Sequence, residues 1–257
     1  MTSARLAITR EISPRFNECE ITHIERTPID LEIARTQHSG YVNTLKQLGC
    51  EVLELPAEAN LPDSVFVEDA AFILPHAAVI TRPGADSRKP ETESIIQALS
   101  PHIALLYIHE PATLDGGDVL VVGKKIFVGI STRSNQKAID QLNDLLKEDG
   151  YKVIGVQLHD CLHLKSAVTC VDDETLLINN NWVDIGRFED YELIEVDQSE
   201  PYAANCLPIG DTIIYPTAFP KTEAKLKAHG YKIVSVEVGE LAKAEGAVTC
   251  CSLILES

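Results

Sequence analysis

Two cysteines stand side by side near the end of the chain, Cys250 and Cys251 in "EGAVTCCSLIL", and the letters "AVTC" also occur earlier, ending at Cys170. A thiol in such a place can be a nucleophile, a metal ligand, half of a disulfide or simple packing. A second group lies in "HDCLHLKS", where His159, Cys161 and His163 alternate and would share one face of a strand. One cysteine and two histidines could ligate zinc, but a structural site wants a fourth ligand, and no CxxC or HExxH motif is present. The alternative is His163 alone, as a general acid and base with a pKa near neutrality. Acidic residues gather in "LPDSVFVEDAA" (Asp63, Glu68, Asp69) and in "ATLDGGDVL" (Asp115, Asp118). Asp and Gly mark ordinary turns, yet unpaired carboxylates sharing one pocket are costly unless a cation binds there.

Read as a strand, "GAVTCCSLIL" puts Cys251, Leu253 and Leu255 on one face and Val248, Cys250, Ser252 and Ile254 on the other. The first face is uniformly apolar and suited to packing. The second is mixed, as a strand lining an axis would be, which favours Cys250 as the available thiol. Cys170 holds the matching place in the earlier copy, so the pattern alone leaves both open.

An internal repeat supplies the elements that would bring these groups together. "GCEVLEL" (49–55), "GYKVIGV" (150–156) and "GYKIVSV" (230–236) each read as a glycine stop followed by a short strand. Each follows a helical stretch, such as the one with apolar Ile139, Leu142, Leu145 and Leu146. Pairs of short strands precede the helices: "AAFILP" with "AAVITR", "DVLVVG" with "IFVGIS", and "ANCLPI" with "TIIYP". Such units begin near Phe66, Leu114, Leu162 and Ala203, a period of roughly 40 to 50 residues that signals propellers or repeat arrays. The unit from Leu162 is the weakest, because "NNNWVDIGRFEDYEL" carries no clean amphipathic helix. A fifth unit would take its first strand from "GAVTCCSLIL" and the remainder from residues 4–55. That pattern predicts an α/β fold of five ββαβ units around a pseudo-fivefold axis, residues 1–257 forming a single domain that both chain ends close.

Composition narrows the function. With 45% hydrophobic and 24% charged residues the chain is ordinary for a globular protein. A net charge of −17 argues against a nucleic-acid partner, which needs clustered Lys and Arg. No apolar run approaches the roughly 20 residues that cross a bilayer, so no membrane partner is expected. The start "MTSARLAITREISPR" lacks a basic-then-apolar signal pattern, and the expected location is cytoplasmic. Seven cysteines, an odd number, do not suggest a disulfide framework.

Several stretches together, "LPDSVFVEDAAFI", "ITRPGADSRKPE", "TLDGGDVLVVGKKIFVGISTRSNQ", "LHLKS", "YAANC" and "GAVTCCSL", resemble the dimethylarginine dimethylaminohydrolases. These belong to the guanidino-modifying superfamily with the five-bladed pentein fold, and the likeness runs over nearly the whole chain. The resemblance implies Cys250 as nucleophile, His163 as general acid and base, and Asp115 as the residue orienting it. It also implies substrate contacts from Asp63, Glu68 and Asp69, and a clamp on the substrate carboxylate from Arg88 and Arg133. Ile21 falls on the loop that closes over the ligand. Ala244 stands where a larger aliphatic residue is usual and contributes a backbone contact. The implied reaction turns asymmetric dimethylarginine or monomethylarginine into citrulline and dimethylamine or methylamine, through a covalent thiouronium on Cys250. Implied partners are a small cationic guanidino substrate and, for assembly, a monomer or homodimer; no metal or organic cofactor is implied. Alternatives are a deiminase of arginine or a related guanidino compound, and a non-catalytic pentein binding protein. Arginine deiminases carry a helical insertion for which this chain has no room, and agmatine has no carboxylate to clamp.

Overall fold

Glycine decides where three helical stretches give way to strands. Gly49, Gly150 and Gly230 have φ of +88°, +75° and +93°, the left-handed region in which a Cβ is strained. The computed structural model describes residues 5–256. Strand β1 (Arg5–Arg10) leads to helix α1 (Leu31–Gln47). The Asp30 side chain starts that helix by accepting the N–H groups of Glu32 and Ile33. Its buried stripe, Ala34, His38, Tyr41, Val42 and Leu45, follows the helical period. Past Gly49 the chain returns as β2 (Cys50–Leu55), parallel to β1.

Four further modules repeat this plan. The first holds β3 (Ala71–Ile73), β4 (Ala77–Ile80), α2 (Glu91–Leu99) and β5 (Ala104–Tyr107). The second holds β6 (Val119–Val122), β7 (Lys125–Ile130), α3 (Gln136–Leu146) and β8 (Lys152–Gln157). The third begins with a single helical turn, α4 (Leu164–Ala167), and continues with β9 (Val168–Cys170), β10 (Thr175–Ile178) and β11 (Glu192–Glu195). Between β10 and β11 it has only a 3-10 turn at Ile185–Arg187, the place where the sequence shows no amphipathic helix. The fourth holds β12 (Leu207–Ile209), β13 (Thr212–Pro216), α5 (Pro220–Ala228) and β14 (Lys232–Val236). After α6 (Gly239–Ala242), β15 (Leu253–Glu256) pairs antiparallel with β1, with Ile8 opposite Leu253. Among the described residues this gives five three-stranded sheets. In each, the first strand runs antiparallel to the second and the third runs parallel to it.

The apolar clusters show how the modules close into a ring. Phe72 and Val79 of the first module pack with Ile126 and Leu142 of the second. Phe127 and Val156 of the second pack with Val168 and Ile178 of the third, and Leu177 of the third with Ile213 and Tyr215 of the fourth. Ile214 and Val236 of the fourth meet Tyr41 and Leu45 of α1, while Ile8, Leu253 and Leu255 meet Ile80 and Leu99 of the first. Each of the five clusters thus spans one junction, and the last returns to the start.

One expectation needs correction. In the earlier "AVTC", Val168–Cys170 is strand β9 itself, but in the later copy the same letters form a turn and β15 starts only at Leu253. The two copies are therefore out of register, and strand alternation does not apply to Cys250 and Cys251. The physical cause is Thr249: its N–H goes to Asn205 Oδ1 (3.1 Å) and its hydroxyl to Glu68 Oε2 (2.8 Å), so that backbone N–H is spent on a side chain rather than a ladder. Cys250 N–H closes the turn on the Ala247 carbonyl at 3.3 Å. Both thiols join the cluster around Tyr41, whereas Leu253 and Leu255 belong to the neighbouring one.

Candidate active site

The segments just ahead of the first strand of four modules hold the polar residues. These are the 3-10 turns Val67–Ala70 and Gly116–Asp118, the one-turn helix α4 with His163 at its N-cap, and the turn that carries Cys250. His163 is 5% exposed and lies between two carboxylates, Nε2 3.3 Å from Asp115 Oδ2 and Nδ1 3.8 Å from Asp69 Oδ1. Gly117 makes this approach possible. A Cβ there would lie 2.6 Å from His163 Nδ1 and 2.8 Å from Asp69 Oδ1, and its N–H donates to that same Asp69 oxygen at 3.0 Å.

Charge sets the protonation of this group. Burial alone pushes His163 down, but the charge of Asp69, the hydrogen bond with Asp115 and the charge of Asp118 carry its pKa up to about 9. Burial likewise works against the Asp69 carboxylate, yet His163 and Arg88 hold it down at about 2. The Cys250 thiol is pushed well up by burial and by Glu68 and Asp69, with Lys165 opposing. At neutral pH the site is thus a thiol beside an imidazolium.

The two arginines differ. Arg88 is buried and donates Nε and Nη2 to Glu91, Nη1 to Asp69, and Nη2 to the carbonyls of Asp63 and Phe66. That leaves one N–H on Nη1 without a partner. Arg133 is freer: its Nη1, 3.6 Å from Asp115 Oδ2, is buried and makes no hydrogen bond. Asp115 is held from behind, its Oδ1 accepting Gly84 N–H at 2.8 Å and its own N–H donating to Ser134 Oγ at 3.0 Å.

Seven of the ten residues that the resemblance implies for the site, Asp63, Asp69, Arg88, Arg133, His163, Ala244 and Cys250, line one cavity. Its free volume is about 10 Å³, room for one water at most. Asp115 stands behind His163. Ile21 is half-buried and packs on the cluster that contains both thiols. Glu68 faces away from the cavity, its Oε1 2.6 Å from Lys165 Nζ and its Oε2 on Thr249, while its N–H donates to the Cys250 carbonyl at 3.2 Å. His159 and Cys161 do not join His163 in a ligand set. Instead Asp69, Asp115 and His163 place one ligand atom each within 4.8 Å of one another, a spacing that suits the imidazolium those carboxylates surround.

Sequence reasoning passes over the residues that shut the site. The Glu245 carboxylate accepts the N–H groups of Thr22 and His23, both at 2.7 Å, and Asp63 accepts that of Glu20 at 3.2 Å. Phe66 and Gly246 meet so closely that a Cβ on Gly246 would fall 2.2 Å from the ring. A larger, mostly apolar cavity of about 480 Å³ touches the site only through Leu162, Glu245 and Gly246 and holds none of its acid, base or thiol groups.

A family profile described as eukaryotic N,N dimethylarginine dimethylhydrolase matches residues 15–255. The chain belongs to the dimethylarginine dimethylaminohydrolase family. A family member of Streptomyces coelicolor is 37% identical over 253 residues, 98% of this chain and 97% of that protein. One of Pseudomonas aeruginosa is 35% identical over 227 residues, 87% of this chain and 89% of that protein. A solved structure of the Pseudomonas enzyme, a cysteine-to-serine variant complexed with citrulline, superposes with a TM-score of 0.93 at 30% identity, covering 99% of this chain and 100% of that one. The five modules are those of the pentein fold, and the protein is a dimethylargininase, a hydrolase of dimethylarginine. No helix among the described residues is long and apolar enough to cross a membrane.

Proposed function

We propose that Cys250 attacks the guanidino carbon of a methylated arginine and that His163 moves the protons. The observation carrying this is one small cavity lined by both Cys250 and His163, the histidine flanked by carboxylates. A guanidinium entering beside Asp69 brings the positive charge that the resting thiol lacks, and Cys250 ionises as its proton passes to water. The thiolate forms a C–S bond to the guanidino carbon, giving a tetrahedral adduct. His163 then gives its proton to the methylated nitrogen, the C–N bond breaks, and dimethylamine or methylamine leaves. A thiouronium cation remains on Cys250. The now neutral imidazole takes a proton from water, and the oxygen adds to the same carbon. The C–S bond breaks with its electron pair going to sulfur, which takes the added hydroxyl's proton as citrulline leaves and the Cys250 thiol returns. Asp115 keeps the ring oriented throughout.

The Nη1 of Arg133, which makes no hydrogen bond, is the group best suited to the substrate carboxylate, with the remaining N–H of Arg88 completing the grip. In this reading Asp63 and the backbone at Ala244 and Ile21 take the amino end. Arg88 also fixes Asp69 through its ion pair. Seven unpaired thiols support a reducing, cytoplasmic setting. The whole chain acts as one unit in this reading, because His163, Asp115 and Cys250 come from three different modules.

The test is product analysis with arginine, agmatine, monomethylarginine and asymmetric dimethylarginine offered separately. Citrulline with an equal amount of methylamine or dimethylamine is expected from the last two. Turnover confined to arginine or agmatine would overturn the assignment.

A further inference from the structure

Asp118 is the second aspartate of "LDGGD", fully buried, and nothing in the reaction above uses it. Its Oδ1 accepts the N–H of Leu164 at 3.0 Å, the residue that follows His163. Its Oδ2 accepts the hydroxyl of Ser131 at 2.7 Å. That serine oxygen in turn accepts the N–H groups of Arg133 at 3.0 Å and Ser134 at 3.1 Å. Ser134 Oγ then accepts the N–H of Asp115. We infer that Asp118 is a positioning residue, a single carboxylate that fixes both the acid–base histidine and the arginine loop relative to one another. The inference rests on the roles proposed above for His163 and Arg133.

The hydrogen-bond count makes the arrangement specific. A serine hydroxyl offers one donor and two lone pairs. Both lone pairs of Ser131 are taken by backbone N–H groups, so its hydrogen has to point at Asp118. Asparagine at position 118 therefore fails in either orientation. It turns an N–H on a serine oxygen that is already full, or it turns one on the Leu164 N–H. A buried mismatch of this kind is costly. Gly129 on β7 leaves the room: a Cβ there would lie 2.6 Å from Asp118 Oδ1 and 3.1 Å from Leu164 Cβ. Gly129→Ala would thus push on the same joint without removing a charge.

The test separates kcat from KM in five variants, using asymmetric dimethylarginine. Asp118→Asn is expected to lower kcat about a hundredfold, the scale of a misplaced catalytic group, and to raise KM as well. Gly129→Ala is expected to lower kcat in the same way, which keeps the inference testable if Asp118→Asn does not fold. Ser131→Ala frees the arginine loop while the Leu164 N–H keeps its bond to Asp118, so KM is expected to rise about tenfold with a smaller change in kcat, and Ser131→Thr is expected to restore it because the hydroxyl returns. Variants that melt earlier but keep the parent kcat and KM when folded would reduce Asp118 to a packing role and overturn the inference. Arg133→Ala distinguishes the two levels. An unchanged KM in Arg133→Ala refutes the arginine reading itself, whereas a raised KM there with none in Ser131→Ala refutes the joint.

Discussion

At His163 burial and charge pull in opposite directions and charge prevails, so that the buried imidazole holds its proton up to about pH 9. This has a stability consequence with a definite sign. Against an unfolded histidine near 6.5, the folded protein gains stability from the imidazolium that is fully present below about pH 6.5 and lost as pH rises through 9. Asp69 works at the other end: held down at about 2, it stabilises above its ordinary value near 3.8 and loses that contribution as pH falls towards 2. Buried thiols also destabilise the fold at alkaline pH, because they ionise more readily once unfolded. The histidine term is therefore read as a difference: between pH 6.5 and 9 the parent is expected to lose more stability in urea than His163→Gln does. Equal losses in the two proteins would show that His163 is not held protonated by its neighbours.

The cover over the site is built from short segments that hold one another rather than from a long element. Glu245 has a positive φ of 58° and spends both carboxylate oxygens on the backbone of Thr22 and His23. Only about 10 Å³ is free beneath it, so the proposed substrate is expected to need this cover to move. Glu245→Ala is expected to quicken iodoacetamide labelling of Cys250 several-fold and to expose residues 20–27 to protease, while the fold melts within a few degrees of the parent. Labelling and cleavage at parent rates would contradict that role. These contacts explain what was legible in the sequence and what was not. Cys250, His163 and Asp69 stand in recognisable motifs, and Gly49, Gly150 and Gly230 mark the module ends by their own chemistry. Glu245, Ser131 and Lys165 are ordinary polar residues by type, and their partners lie roughly a hundred or more positions away or on a backbone N–H that no periodicity marks. The strand reading of "AVTCC" failed for a similar reason: a threonine drawn to Glu68 and Asn205 decided the local geometry.

For the molecule as a whole, five apolar clusters each join two neighbouring modules, so no module has a core to itself. The ring should therefore unfold as one unit. Phe127, fully buried against Phe188 with ring centroids 4.8 Å apart, lies at the junction of the second and third modules. Phe127→Ala is expected to cost about 3–5 kcal/mol, in a single denaturant transition moved to lower concentration; two separate transitions would contradict the closed ring. Closure also has a chemical purpose. It brings Cys250 from one end of the sequence onto the same cavity as His163 and Asp69, the meeting that the proposed reaction requires. The most direct test is to quench the enzyme with acid during turnover of asymmetric dimethylarginine and map the peptides by mass spectrometry. The expected result is a thiouronium adduct, the substrate less dimethylamine, on Cys250 and not on Cys251, with none formed by Cys250→Ser. An adduct on Cys251, or undiminished turnover by Cys250→Ser, would contradict it.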